Sequence, residues 1–431
     1  MNEALDLYQA LGRADALGRL SWAMVSQLTW TVRITEAVKA AQRALAALGD
    51  IASADRARLL SAMGWAVSLG GDHAAAKGMF DQARSLADQV GNERALADVL
   101  HMQTIHHFGY AEFLDGVSAG LRAAEVFDRE GALWDLCSVQ AFVIYQDGAL
   151  GSREQAIRLA DKTMAIAQRL GHLGAIFVLL LYRAREAVTL ADLESLETLG
   201  PQMVDICERG SLPWLYVGHL SLGLAAHWRS DAERAESEIR RAVKLEPAGA
   251  YSGSSTSILA RHLAHSGRAE EVLAMYQSAR PTLPSPDLVN SHGAWNRLFG
   301  LVEALYLCGF RDDAAMLSPL VEEALERGPD WISFDGRLVR TRAGVAAAAG
   351  GRWVAAERHF AVAQQHAKRM RNLLEETDLH RLRARMLLDR DSTGDRARAA
   401  ELLGEALTSY RRWGMPSYAA ETERMLREIR D

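Results

Sequence analysis

The chain has 431 residues, of which 49% are hydrophobic and 24% charged, with a formal net charge of -6. This is the balance of a folded, water-soluble protein, and a mild excess of acid argues against a surface dedicated to nucleic acid, which needs a concentrated basic face. Only 9 prolines leave room for long helices, and 3 distant cysteines (Cys137, Cys207, Cys308) make no metal spacing and suit a reducing cytoplasm.

The N-terminus, MNEALDLYQALGRAD, reads as an amphipathic helix with charges rather than a signal peptide. Its helix, Asn2–Leu11, stops at Gly12 without a partner before it and reads as the second half of a hairpin. On that reading the chain is a fragment or arm of a larger protein. The most apolar run, Leu173–Tyr182 (LGAIFVLLLY), is about half of a bilayer span, so no membrane is expected.

Helix pairs then follow at a spacing of roughly 40 residues. A plug position falls at Ala41, Phe80, Leu121, Ala160, near Gly200, at Ile239, Tyr276, near Ser318, and at Phe360 and Leu403. Four residues before the clear plugs stand Ala37, Ala76, Val117, Ala156, Ala235, Val272, Ala356 and Ala399. Three residues after them come Ala44, Ala83, Ala124, Thr163, Ala242, Ala279, Ala363 and Ala406. A row at i, i+4, i+7 stays on one helical face, and small side chains there let two helix backbones approach.

The turns repeat too. LGGDHAAA at 69–76, LGSREQA at 150–156, HSGRAEEV at 265–272, CGFRDDAA at 308–315, AGGRWVAA at 349–356 and TGDRARAA at 393–400 share one plan. A glycine ends the first helix in a left-handed conformation, and charged residues open the second. Asp72, Asp231 and Asp395 are placed to cap or complement that second helix. Three stretches break the rhythm. Gly200-Pro201 within 190–215 predicts a kinked or split helix, 280–292 with its three prolines an extended connector, and GPDWISFDG at 328–336 an irregular loop. The hairpin grammar is the same on both sides of each, so the chain reads as one array over 1–431.

The clearest unit is GLAAHWRSDAERAESEIRRAVKLEP at 223–247, with Gly223, Ala235 and Ala242 at the close contact and Ile239 as plug. It resembles a tetratricopeptide repeat, as do 60–83, 256–284 and 340–363. The whole chain is similar to the longer repeat variant in the helical arm of bacterial multidomain signalling ATPases: maltose-operon-activator-like proteins, large LuxR-type regulators and ATPase-linked adenylate cyclases. The ending ALTSYRRWGMPSYAAETERML at 406–426 fits that group. The resemblance implies an all-α, right-handed α-solenoid of about ten hairpins. It also implies a sensor role, restraining an attached effector in response to an inducer or partner. The chain departs from those proteins in lacking a P-loop, a cyclase domain and a C-terminal helix-turn-helix.

With the first helix of each hairpin lining the concave face, the inward residues are Trp22, Ser26 and Trp30, then Trp65, then Met102, His106 and Tyr110, then Tyr145. Leu224, His227 and Trp228 follow, then Arg261 and His265, then Asn296, Phe299, Glu303 and Tyr306. Aromatic and Arg side chains in a groove are what peptide or ligand recognition uses, although such rings also fill gaps between hairpins. His101, His106 and His107 do not share a face as an i, i+4 pair would, and His262 with His265 lacks a third ligand, so no metal is expected. There is no GxSxG, no phosphate cradle and no HExxH, so neither catalysis nor a cofactor is expected. Glu322-Glu323 and Glu375-Glu376 read as solvated faces, and the basic run Lys368-Arg369-Met370-Arg371 with Arg381, Arg383 and Arg385 as a screened surface mosaic. The leading expectation is a protein or peptide partner in the concave groove; the alternative is a small-molecule inducer or metabolite.

Overall fold

The computed structural model describes residues 3, 7–8, 10–286, 288–328 and 330–430. The predicted N-terminal helix falls largely outside these. Within them, helices pair in chain order: α1 (Ala14–Trp30) with α2 (Ile34–Leu48), α3 (Ala54–Leu69) with α4 (His73–Gln89), and α5 (Glu93–Gly109) with α6 (Phe113–Arg129). Next come α7 (Leu133–Ala149) with α8 (Arg153–Leu170), α9 (Leu173–Thr189) with α10 (Leu193–Gly210), and α11 (Leu215–Trp228) with α12 (Ala232–Leu245). The array continues with α13 (Ser254–His265) and α14 (Ala269–Ala279). In the next hairpin α15 (His292–Leu307) meets two short helices, α16 (Arg311–Met316) and α17 (Ser318–Glu326). It ends with α18 (Val339–Ala349) and α19 (Trp353–Met370), α20 (Leu373–Arg390) and α21 (Asp395–Arg412), and a last helix, α22 (Pro416–Arg430). The architecture is an all-α solenoid in which each first helix packs on its own partner and most also pack on the next first helix. No helix among the described residues is long and apolar enough to cross a membrane.

The small–plug–small rows make the hairpins. In α12 only Ala235, Ile239 and Ala242 are buried, and a Cβ on Gly223 of α11 would lie 2.5 Å from the Ile239 side chain. Ala76, Phe80 and Ala83 do the same in α4, and Ala356, Phe360 and Ala363 in α19. One register is different. Leu121 is exposed and Val117 only half-buried, while Gly116, Gly120 and Ala123 take the contact face of α6. The cause is steric: a Cβ at Gly120 would fall 2.3 Å from Val143 of α7, so the face centres on glycine and the leucine is turned outward.

The predicted turns hold their form, with positive φ at Gly71, Gly151, Gly267, Gly309, Gly351 and Gly394. Asp72 and Asp231 cap their helices through the backbone N–H groups of Ala75 and Arg234. Asp395 instead accepts from the Ser392 N–H and pairs with Arg390. The helix expected to be kinked or split at Pro201 is not split: Leu193–Gly210 is one helix, α10, with Pro201 inside it. There Gly200 and Gly218 permit a backbone approach so close that a Cβ on Gly218 would meet the Gly200 carbonyl oxygen at 2.8 Å. The predicted connector opens with a 3-10 turn, Arg280–Thr282, and then folds around Asn290, whose amide donates to the carbonyls of Ser285 and Leu288.

Beyond α1, the inner helices are buried nearly all round, not on one stripe. Every residue of α11 from Tyr216 to Trp228 is buried, the signature of a helix packed all round. The superhelix is wound tightly enough for opposite walls to meet, α5 with α15, α9 with α20 and α11 with α22. Two loops occupy the interior. Ala250 donates its N–H to the carbonyl of Leu69 at 3.1 Å, and Ile332 donates to that of Ala149 at the same distance. Both acceptors are the last residues of inner helices, whose terminal carbonyls have no partner within the helix. Gly249, at φ +113°, makes the first of these ties possible, since a Cβ there would lie 2.1 Å from the Leu69 oxygen. The concave face is therefore largely filled by the chain itself.

Candidate functional site

Two adjoining cavities open on the inner wall, built mainly from α1 to α11. The deeper one, with about 740 Å³ of empty space counted out through its open mouth into solvent, is lined almost wholly by rings and aliphatic groups. Trp30 and Trp65 come from α1 and α3, Phe108 from α5, Phe142 and Tyr145 from α7, and Trp214 and Tyr216 from the start of α11. Tyr251 and Phe334 reach it from the two interior loops, and Ser254, His292 and Asn296 supply its polar groups. The second cavity, about 1150 Å³, is a more polar vestibule formed by Trp22, Ser26, Gln27, His101, Met102, Trp134, Asp135, Ser138 and His172. Trp30, Trp65 and Ile105 belong to both and form the partition. The two indoles meet edge to face, 5.4 Å between centroids at 79°, an arrangement that favours aromatic neighbours over water.

No charged side chain lines the deep cavity, and the vestibule carries one, Asp135, which is paired with Arg94. Burial first, and the Arg94 charge second, hold His101 down to about 3. Burial also lowers His172 and His292 to about 4, helped by His101 and Arg185 respectively. All three imidazoles are neutral at pH 7. His101 shares a hydrogen bond of 2.9 Å with Ser138, and His172 stacks on the half-exposed Trp134 at 4.0 Å. Trp22 Nε1, Ser26 Oγ and His172 Nε2 are buried and have no hydrogen-bond partner among the described residues. Buried donors and acceptors are normally satisfied, so hydrogen-bonding capacity is left over beside the vestibule.

Of the residues expected in the groove, Trp22, Ser26, Trp30, Trp65 and Met102 line the vestibule or its partition, and Tyr145 and Asn296 line the deep cavity. The others lie elsewhere. His106 and Tyr110 join His73 and Glu112 at the rim, where the Tyr110 hydroxyl donates to the Ser68 carbonyl at 3.0 Å. His227 contacts Tyr418 at 3.1 Å and His262 at 3.2 Å, while His265 lies 3.3 Å from Glu421. Trp228 is wholly buried, and the Tyr306 hydroxyl donates to Asp389 at 2.8 Å.

Arg261 and Glu303 belong to an ionic core that fills the C-terminal half of the interior. Arg337, from the loop before α18, reaches Glu303 at 3.1 Å, Glu375 at 3.2 Å, and Asp378. Arg342 pairs with Asp335 at 2.9 Å, and Arg261 with both Asp335 and Glu303. Burial pushes Glu303 upward, but the Arg261 and Arg337 guanidiniums overcome it and hold the carboxyl well below the usual range. Glu375 and Arg381, both expected at the solvated surface, are buried: Glu375 accepts from the Leu338 N–H at 3.0 Å, and Arg381 Nε donates to the Tyr410 hydroxyl at 3.3 Å. Phe334 and Asp335 are neighbours in sequence, and the first lines the aromatic cavity while the second anchors the ionic core.

Sequence reasoning passed over Phe108, Phe142, Trp214, Tyr251, His292, Phe334 and His172. The inner-helix periodicity could have included Phe108 and Phe142. Tyr251 and Phe334 sit in loops, and only the winding of the array brings them inward.

No family model matches the chain, and no curated protein matches it. Among solved structures it is similar to a Rap protein complexed with competence and sporulation factor, with a TM-score of 0.47 and 11% identity over 96% of this chain and 97% of that one. A circular tandem repeat protein with novel repeat topology also matches, with a TM-score of 0.18 and 15% identity over 96% of each chain. Likenesses this loose do not bear on function.

Proposed function

We propose that the protein is a non-catalytic binding and regulatory module. Its inner wall takes a peptide or partner segment, one large apolar side chain of which enters the aromatic cavity while the backbone lies in the vestibule. The observation that carries this reading is the shared Trp30–Trp65 partition between an apolar chamber and a polar one. An apolar anchor pocket beside adaptable hydrogen-bonding groups is the usual division of labour in peptide recognition. Neutral histidines and spare polar atoms suit a peptide backbone better than a charged metabolite. An occupant of the deep chamber would touch Phe334 and so bear on the loop that carries Asp335 and Arg337. In the setting the resemblance implies, that contact would let occupancy change the winding of the array and thereby an effector in bacterial signalling or transcription control.

The test is selection from a displayed random peptide library, followed by titration of the selected peptides. Saturable binders should carry a bulky apolar residue, and Trp65→Ala should weaken them at least tenfold while Trp353→Ala, outside both cavities, does not. No saturable binder, or binders indifferent to Trp65, would refute the reading. A second reading, an apolar small molecule held in the deep chamber alone, is favoured by its lining, which is almost wholly rings and aliphatic groups with a few polar atoms from Ser254, His292 and Asn296. A metabolite panel that raises the melting temperature where peptides do not would select it.

A further inference from the structure

We propose that His73, His106 and Glu112, with His107 as a further donor, form a binding site for a divalent transition-metal cation of the Zn²⁺ class. The site lies on the rim of the array, outside both cavities, and does not depend on what they bind. One ligand atom from each of His73, His106 and Glu112 lies within 4.8 Å of the others. The three come from separate elements: His73 opens α4, His106 stands in the last turn of α5, and Glu112 is the N-cap residue of α6.

The backbone builds this meeting. Ala111 adopts φ +59°, and the Glu112 N–H donates to the His107 carbonyl at 3.0 Å, which folds the carboxylate back over the end of α5. One Glu112 oxygen lies 2.7 Å from His107 Nδ1 and the other 3.6 Å from His73 Nε2, so each oxygen already faces an imidazole. His106 is oriented from behind. Its Nδ1 lies 2.7 Å from Ser68 Oγ, which leaves Nε2 as the free ligand atom, the usual arrangement for a metal-bound histidine with an outer partner. Phe80 and Tyr110, with ring centroids 5.1 and 5.0 Å away, wall the same ring.

The donor set selects the ion. Imidazole nitrogens with one carboxylate suit Zn²⁺ and its neighbours, whereas Mg²⁺ and Ca²⁺ prefer oxygen alone. Tetrahedral ligation with bonds of about 2.0–2.2 Å needs the ligand atoms to close to about 3.4 Å of one another, a modest swing of the His73 ring. That ring and Glu112 are partly exposed, with side-chain accessibilities of 14% and 30%, so an ion can arrive from solvent while His106 stays buried. A bound ion would clamp the α3–α4 turn to the α5–α6 turn, joining two successive hairpins.

The test uses the full chain, without a histidine tag and stripped with a chelator, titrated with Co²⁺ alone and then with Zn²⁺. One equivalent of Co²⁺ should bind with the intense visible absorption of a four-coordinate ion, and Zn²⁺ should displace it. His73→Asn and Glu112→Gln, both at partly exposed side chains, should each weaken binding at least tenfold. Ser68→Ala should weaken it by about 10- to 100-fold, as loss of an outer partner does. His380→Gln, at a histidine 3.3 Å from Glu405 in a different hairpin, should leave it unchanged. Circular dichroism confirms that each variant is folded. Absence of saturable binding at micromolar metal, or binding that survives both His73→Asn and Glu112→Gln, would overturn the proposal.

Discussion

The Ile332 N–H donates to the carbonyl of Ala149 at 3.1 Å, joining the loop between α17 and α18 to the final residue of α7. Hydrogen bonds between residues so far apart in sequence are foreign to an open solenoid, in which each unit touches only its neighbours. This one closes the interior, and it places Phe334 against the aromatic cavity. The Ile332 amide should therefore exchange with solvent as slowly as amides in the middle of α7, although it lies in a loop. Hydrogen-exchange mass spectrometry or NMR checks this. Exchange within seconds would mean that the loop does not hold the interior shut.

The ionic core should be far less forgiving than the surface. Arg337→Ala strips the shared partner from Glu303, Glu375 and Asp378, all of them buried. Loss of one member of a buried ion pair costs about 3–5 kcal/mol, because the remaining charge cannot reach water. Lys77 and Asp81 form an exposed pair at 2.7 Å, and Lys77→Ala should cost less than about 1 kcal/mol. Urea denaturation of the two variants measures both effects, and equal losses would contradict the burial argument.

Stability should fall with acid before the ordinary carboxylates titrate. His172 and His292 are held to about 4 by burial in the fold, whereas in the unfolded chain each takes up a proton from about pH 6.5 downward. Protons therefore favour the unfolded state between those limits. The contribution of each histidine is intact above pH 6.5 and is lost as the pH falls toward 4. At about 1.4 kcal/mol per pH unit, the loss reaches roughly 3 kcal/mol for each group. His172 Nδ1 also accepts the Ala175 N–H, a bond that asparagine can replace at this N-cap. His172→Asn should hence flatten the pH dependence between 6.5 and 5 with little change at pH 7.5. An unchanged slope would show that His172 is not the group responsible.

Two glycines in helices should respond in opposite directions. A Cβ at Gly300 would lie 2.5 Å from Ser257 Cα and 2.6 Å from its carbonyl oxygen, both backbone atoms that cannot step aside. Gly300→Ala should cost more than about 2 kcal/mol by prising α13 and α15 apart. Gly404, in α21, has nothing within 4 Å of the same position. Gly404→Ala should stabilise the protein by roughly 0.5–1 kcal/mol through helix propensity. Thermal melts of the two variants that move together would refute the close-contact reading of Gly300.

The sequence by itself determined the hairpin. Rows such as Ala235–Ile239–Ala242 and turns such as Cys308–Gly309 encode contacts between helices adjacent in the chain, and those contacts obey a local period that can be read directly. Even there, at α6, the glycine face took precedence over Leu121 because Val143 stands too close for any side chain at Gly120. Only the tertiary structure decided what the inner wall became. The winding of the array accumulates from a small rotation at each repeat, so no local pattern shows that Trp30 shares a cavity with Phe334. Nor does it show that His73 meets Glu112, or that Arg337 enters the core as the partner of three carboxylates. Residues that meet across an interior are brought together by the sum of many turns, and that sum is a property of the folded chain.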